Sequence, residues 1–412
     1  MLSRRVRQMA DPGTSKARNR ARALQAQGVD LIDLSAGELD FKLFPPMEAG
    51  ARLALGEPRH RYTPILGVPA LRDDIAHRVS EETGCRFTRE EVGLSAGAKP
   101  AIYYAVLALT DPGDEVIVPL PCWGTFLEQI SLSGAVPKTI EPSLPDFRLD
   151  VSRLYAATGP RTKLLIVNTP SNPTGVVLDE DELARIAEFV RTTGVTLLLD
   201  ECYSRLLRGN RPFRSVLQID PSLKDRVLTF NSYSKAYAMA GWRLGFFTGP
   251  PEIVSAIQTI QGHLASNPGS IAQLALLHAL KEDDKCYIAE VNEYLDENLR
   301  HLLRVLKPYP EVLHYRPEGA FYAFLSTASL VCDQAASPCL RDHFDYAEEM
   351  LSRAGIAVTD GSAFGMPGYL RLSYSVHPDT FKKGMARLVD YIESCRSGAA
   401  GPFPGPELIA SR

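Results

Sequence analysis

The 412-residue chain predicts an α/β fold, with a mostly parallel sheet between helices and a smaller α/β lobe after it. Three observations lead there. The length favours two or more cooperating lobes over one small core. From about Glu91 the pattern strand, turn, helix repeats along the chain. The candidate strands are apolar throughout rather than alternating, as expected where both faces of a sheet are covered.

Taken in order, Lys16 to Gln27 runs helically into Gly28. Glu91–Ser95 reads as a short strand, and Gly97 opens a helix with Ala101, Ile102, Ala105, Val106 and Leu109 on one face. Pro100 suits the first turn of that helix, where a missing N–H does no harm. Asp111-Pro112-Gly113-Asp114 is a turn, and Glu115–Pro119 the next strand. Lys163–Asn168 is a strand, Glu180–Arg191 a helix stopped by Gly194, and Thr196–Asp200 a further strand. Arg226–Phe230 and Gly241–Thr248 supply two more. After about Ile271 the texture changes to long amphipathic helices, with Gly319–Leu325 and Tyr369–Ser373 as strands. The tail from Ser397 to Arg412, rich in Gly and Pro, is expected to be disordered.

Composition narrows the function classes. Hydrophobic residues make up 45% and charged residues 23%, which is ordinary for a globular protein able to bury a core without disulfides or a structural metal. A net charge of −4 argues against nucleic acid or an anionic membrane as partner. No apolar run approaches the ~18–20 residues of a membrane span. The seven cysteines are scattered, with no CxxC pair and no His cluster, so free thiols are expected and no metal site. The first 22 residues are basic like a transit peptide, but a solvated arm leading into a helix is the simpler reading. A cytoplasmic location follows.

Ligands of open parallel sheets sit beyond the carboxyl ends of the strands. Unusual polar residues collect there four times: Gly97-Ala98-Lys99, Asn168 to Asn172, Asp200 with Tyr203, and Ser232 to Lys235. Gly97 to Lys99 opens a helix, whose free N–H groups and dipole suit a phosphate. Ser232, Ser234 and Arg243 are candidates for the same anion. Asp200 ends an apolar strand, where an unpaired carboxylate is unfavourable. It is a cap, an ion-pair member, or the partner of a cationic ligand atom such as a pyridinium nitrogen. Lys235 taken alone reads as a surface charge, as most lysines do.

The segment Asn231-Ser-Tyr-Ser-Lys-Ala-Tyr-Ala-Met-Ala-Gly-Trp-Arg-Leu-Gly245 changes that, because it closely resembles the lysine segment of fold-type I, class I/II aminotransferases. Asn168-Thr-Pro-Ser-Asn-Pro-Thr-Gly175 and Asp200-Glu-Cys-Tyr203 resemble that family's other signatures, in its order and spacing. Ser35-Ala-Gly-Glu38, Arg61-Tyr-Thr-Pro64, Pro317-Glu-Gly-Ala-Phe-Tyr322, Gly361-Ser-Ala-Phe-Gly365 and Tyr369-Leu-Arg-Leu-Ser373 extend the likeness from about Leu31 to Cys395.

The resemblance implies pyridoxal 5′-phosphate (PLP), held by Lys235 as a Schiff base, with Lys235 also shuttling the substrate proton. It implies Asp200 at the pyridinium nitrogen, Asn172 and Tyr203 at the ring's phenolic oxygen, and Trp123 stacked on the ring. Gly97, Ala98, Lys99, Ser232, Ser234 and Arg243 would hold the phosphate, with Tyr62 reaching in from a second subunit of a homodimer. Arg371 would clamp the substrate α-carboxylate beside Gly37. The fold implied is a large domain over 46–300 with a seven-stranded sheet, and a small domain built from 1–45 and 301–396.

Lys99 bears on substrate. In the aspartate aminotransferase branch whose phosphate loop carries this lysine, it can meet a distal carboxylate; service to the phosphate alone is the competing role. Two positions depart from the pattern: Cys122 stands where a Tyr is usual before the Trp, and Leu39 replaces a Pro. The reaction expected is amino transfer from an L-amino acid, with an acidic, aspartate-like donor favoured, to a 2-oxo acid such as 2-oxoglutarate. Elimination, replacement or cyclisation on the same cofactor is the alternative. A PLP-binding transcriptional regulator is disfavoured, since no helix-turn-helix pattern precedes Leu31.

Overall fold

The computed structural model describes residues 2–9, 13–57, 60–209, 211–328 and 346–397. Its strands in chain order are β1 (Ile32–Asp33), β2 (Val92–Ser95), β3 (Glu115–Pro119), β4 (Val136–Ile140), β5 (Thr162–Asn168) and β6 (Thr196–Asp200). They continue as β7 (Val227–Ser232), β8 (Gly245–Thr248), β9 (Tyr322–Ser326), β10 (Ile356–Ala357), β11 (Thr359–Asp360) and β12 (Tyr369–Ser373).

Seven of these form one sheet in the order β2-β8-β7-β6-β5-β3-β4. Every pairing in it is parallel except those of β8, which runs against both β2 and β7. The apolar runs explain the burial. Leu165, Val167, Leu197 and Leu199 join the core on one face, while Leu164, Ile166, Leu198 and Leu228 join the core on the other. Alternate side chains thus bury on opposite sides of the same strands, each contributing about 1.5–3 kcal/mol.

Segments far apart in the chain meet outside this sheet. Strand β1 pairs in parallel with β10, placing Ile32 beside Ile356, and β11-β12-β9 form a three-stranded antiparallel sheet. The helices Lys285–Leu306 and Pro378–Ser397 pack against each other there. The last of these closes on Ser397, and the tail expected to be disordered otherwise lies outside the described residues.

Several expectations shift. Strand β4 has no counterpart in the sequence reading, because it is an edge strand whose Val136 is exposed and whose middle carries Lys138. The run Gly241–Thr248 is a strand only from Gly245, since Ala240–Trp242 forms a 3₁₀ turn and Arg243 has φ of 54°. Likewise Gly319–Leu325 becomes strand only at Tyr322, after Ala320 at φ 54°.

Cys85, Cys122, Cys202 and Cys286 are free, as expected. Cys395, by contrast, is disulfide-bonded. Spacing along the chain carried no sign of it, because pairing depends on distance in space. Among the described residues no helix is long and apolar enough to cross a membrane.

Candidate active site

Strand register assembles the first part of the site. Asn168 and Asp200 stand side by side at the ends of β5 and β6. The Asn168 amide donates to the Asp200 carbonyl at 2.9 Å and accepts the Asn172 N–H at 2.7 Å, fixing the loop that carries Asn172. The Asp200 side chain is 6% exposed and accepts the Cys202 N–H at 3.1 Å. It forms no ion pair among the described residues. Burial pushes its carboxyl above the usual carboxylate range, with Lys235 among the groups opposing that shift.

At the other end lies the N-terminus of helix Ala98–Leu109, capped by Gly97 at φ 93°. A side chain there would be strained, and its Cβ would stand 2.6 Å from the Arg243 guanidinium. Gly245 likewise lets β8 approach, since a Cβ on it would meet the Ala98 nitrogen at 2.8 Å. Arg243 is exposed and donates to the Ala240 and Ala96 carbonyls at 2.9 and 3.0 Å. Ser232 Oγ lies 2.7 Å from Ser234 Oγ and 3.1 Å from the Leu244 carbonyl.

Lys99 sits in the first turn of that helix, which contains no acidic residue. Its Nζ lies 4.5 Å from the centre of the Trp123 ring. Burial lowers its affinity for a proton, and Arg243 and Lys235 lower it further. A helix N-terminus is already positive, so lysine and arginine beside it repel one another and the helix dipole. An anion bound there would relieve that repulsion.

Lys235, on the short helix Tyr233–Ala236 beyond β7, donates to the Gly37 carbonyl and lies 5.8 Å from the centre of the Tyr203 ring. Tyr203 Oη is 3.0 Å from Tyr322 Oη. Burial, with Tyr322 next, holds the Tyr203 phenol well above its ordinary range, so it remains a proton donor.

Arg371 closes the site from β12. It is 2% exposed and has no carboxylate partner among the described residues. Its nitrogens donate to Asn172 Oδ1 at 3.0 Å, the Ser35 carbonyl at 2.8 Å and Thr359 Oγ1 at 3.3 Å, while Nε has no partner. Its guanidinium lies 4.4 Å from the Tyr322 ring centre and 5.0 Å from that of Phe364. Such a flat cation, framed by rings and carbonyls, suits a carboxylate.

The expected residues therefore gather, with one exception. Tyr62 is 90% exposed and contributes nothing to the site of its own chain. Four residues in contact with the site were not singled out from the sequence: Tyr322, Ser35, Thr359 and Phe364. All but Thr359 lie in segments that carried the family resemblance, which was the available signal. Of the two departures, Leu39 is buried in the core. Cys122 lines a cavity of about 60 Å³ with Val118, Phe126 and Phe147, and burial pushes its thiol up to about 12.

These features can be tested against PLP. Lys99, Arg243 and the helix terminus require an anion at one end; the buried, unpaired Asp200 requires a positive atom at the other. A phosphate and a pyridinium nitrogen supply those charges, and the Lys235 amine, near Gly37 and Tyr203, is available to bond an aldehyde carbon. The residues present fit the group.

Comparison with known proteins gives the same picture. The profile of "Aminotransferase class I and II" matches residues 29–388. The aspartate aminotransferase of Streptomyces avermitilis is 36% identical over 389 residues, covering 94% of this chain and 95% of its own. The aspartate/prephenate aminotransferase of Cereibacter sphaeroides is 36% identical over 373 residues, covering 90% and 93%. The structure of Thermus thermophilus aspartate aminotransferase with maleate superposes with a TM-score of 0.88 at 34% identity, covering 95% of this chain and 99% of that one.

Proposed function

The chain belongs to the class I and II aminotransferases, and we propose that its donor is an acidic, aspartate-like amino acid and its acceptor a 2-oxo acid such as 2-oxoglutarate. Like the family it is a PLP-dependent enzyme that transfers amino groups. The observation that carries the substrate reading is the set of cations without counter-ions. Arg371 is buried and Lys99 exposed at the mouth of the helix, and neither pairs with a carboxylate among the described residues. A substrate with two carboxylates satisfies both. The relatives named for aspartate, and the neighbour solved with maleate, a dicarboxylate, support it.

When bound, PLP supplies a conjugated electron sink for the pair left behind when a substrate Cα loses its proton. The protein's own residues do the rest. Lys235 holds the cofactor through Nζ, then accepts the Cα proton there and returns it, acting as general base and acid. Asp200 keeps positive charge on the ring nitrogen. Tyr203 and Asn172 would bond the ring oxygen, and Trp123 would cover the ring. Gly97, Ala98, Lys99, Ser232, Ser234 and Arg243 hold the phosphate. Arg371 orients the α-carboxylate beside Gly37, so that one Cα–H points at Lys235.

In this reading Tyr62 completes the phosphate site of a second subunit, and the enzyme is a homodimer. The exposure of Tyr62 supports that role. The large domain spans 46–300 and the small domain combines 1–45 with 301–396, a division supported by the β1–β10 pairing. The reading puts the enzyme in the cytoplasm, where amino-acid and oxo-acid pools meet.

An amino-donor screen with 2-oxoglutarate, read by mass, tests it. Aspartate or glutamate should lead, and Lys99→Met should lower kcat/KM for aspartate by about tenfold more than for phenylalanine. Preference for an apolar donor, or equal loss for both donors in the Lys99→Met enzyme, overturns the acidic-substrate reading.

A further inference from the structure

We propose that Tyr322 is a positioning residue, donating its hydroxyl proton to Tyr203 and so aiming the Tyr203 proton at the cofactor's ring oxygen. The inference rests on the placement of Tyr203 at that oxygen in the reading above. Tyr322 is 1% exposed and Tyr203 5%, and their hydroxyl oxygens are 3.0 Å apart. Two phenols sharing one hydrogen bond spend one of their two protons on each other. The other proton needs an acceptor elsewhere, because a buried unpaired donor is unfavourable.

The surroundings decide which proton is left over. Tyr322 has no hydrogen-bond acceptor other than Tyr203 among the described residues. Its ring is held between the Arg371 guanidinium and Phe321, whose ring centre is 4.6 Å away. Its hydroxyl also abuts Gly37, where an added Cβ would stand 3.3 Å from it. Were Tyr322 the acceptor, its own proton would be stranded against a cation and a methylene. With Tyr322 as donor, the free proton belongs to Tyr203, which the reading above sets at the ring oxygen. Hydrogen bonds in series polarise one another, so the Tyr203 donor is also strengthened.

The bond's effect can be read from the bound cofactor. A donor at the ring oxygen favours the deprotonated form of the chromophore, in which that oxygen carries its full negative charge. Tyr322→Phe, which keeps the ring over Arg371, should raise the pH midpoint of the holoenzyme's visible absorption band by on the order of 0.5 pH unit. Tyr203→Phe should raise it further, and adding Tyr322→Phe to Tyr203→Phe should then change nothing. Tyr322→Leu, a second hydroxyl-free variant, should move the midpoint in the same direction. A Tyr203→Phe midpoint equal to the native one overturns the placement of Tyr203 itself. A midpoint moved by Tyr203→Phe but not by either Tyr322 variant overturns this inference alone, as does an equal Tyr322→Phe shift in both backgrounds.

Discussion

Two sets of charged residues differ in one respect. Arg205 pairs with Asp284, which also accepts from Tyr237, and Arg208 pairs with Asp296 at 3.2 Å. Arg148 reaches Glu182 at 3.2 Å and Glu318 at 3.1 Å. Asp200, five residues before Arg205, has no opposite charge; nor do Arg371, Lys99 and Arg243 among the described residues. Asp200 and Arg371 are as buried as the paired charges, whereas Lys99 and Arg243 are exposed, so burial alone does not separate the groups. What separates them is whether the protein supplies the counter-charge. A charge neutralised from within holds the fold together, and one left open holds a place for a ligand.

The sharpest way to break this contrast is at Lys235. Lys235→Ala should abolish turnover, with a loss of about 10⁴-fold or more, while the thermal unfolding of the cofactor-free protein is unchanged. Measurable transamination by that variant sinks the assignment of the catalytic lysine.

Arg371→Lys comes next. The charge survives but the fork does not, and kcat/KM for amino acids should fall by about 10²-fold. A primary amine lacking the α-carboxylate should show no such loss. Equal losses for both would mean that Arg371 supports the fold and does not clamp substrate.

On the paired side the expectation reverses. Asp284→Asn removes the negative charge and one of the two oxygens that accept from Arg205 and Tyr237, and should lower stability by on the order of 3 kcal/mol in urea unfolding. Turnover per folded molecule should be unaffected. A variant as stable as the native chain but slow in turnover would erase the distinction between the two sets.

A further test concerns Glu201, beside Asp200 in sequence but bonded to Ser215 Oγ at 2.6 Å. Burial raises its carboxyl to about 8. The folded value lies above the unfolded value of about 4.3, so the stabilisation is complete below the unfolded value and is lost as pH rises through about 8. Native stability should therefore decline across that window, and the Glu201→Gln protein should show a flatter profile. Parallel profiles would show that this carboxyl does not titrate with folding.

Much of this site is legible in the sequence for a simple reason. Strand ends in a parallel sheet are neighbours, so Asn168, Asp200 and Lys235 can be placed together once β5, β6 and β7 are recognised. Apolar runs announce those strands because both faces are covered. The edge strand β4 announces nothing, having only one strand neighbour and a partly solvated surface.

By itself, then, the sequence determined the α/β class, the central strands and the residues that meet at their ends, since these follow from local pattern and a general rule of sheets. It also carried the family likeness, and with it the cofactor. Only the tertiary structure decided which charges are answered. Arg371 meets Ser35, which is 336 residues away, and Tyr203 meets Tyr322 across 119. Arg205 finds Asp284 across 79. Pairings over such separations leave no periodicity in the chain, because they are set by how distant segments pack together and not by any local preference.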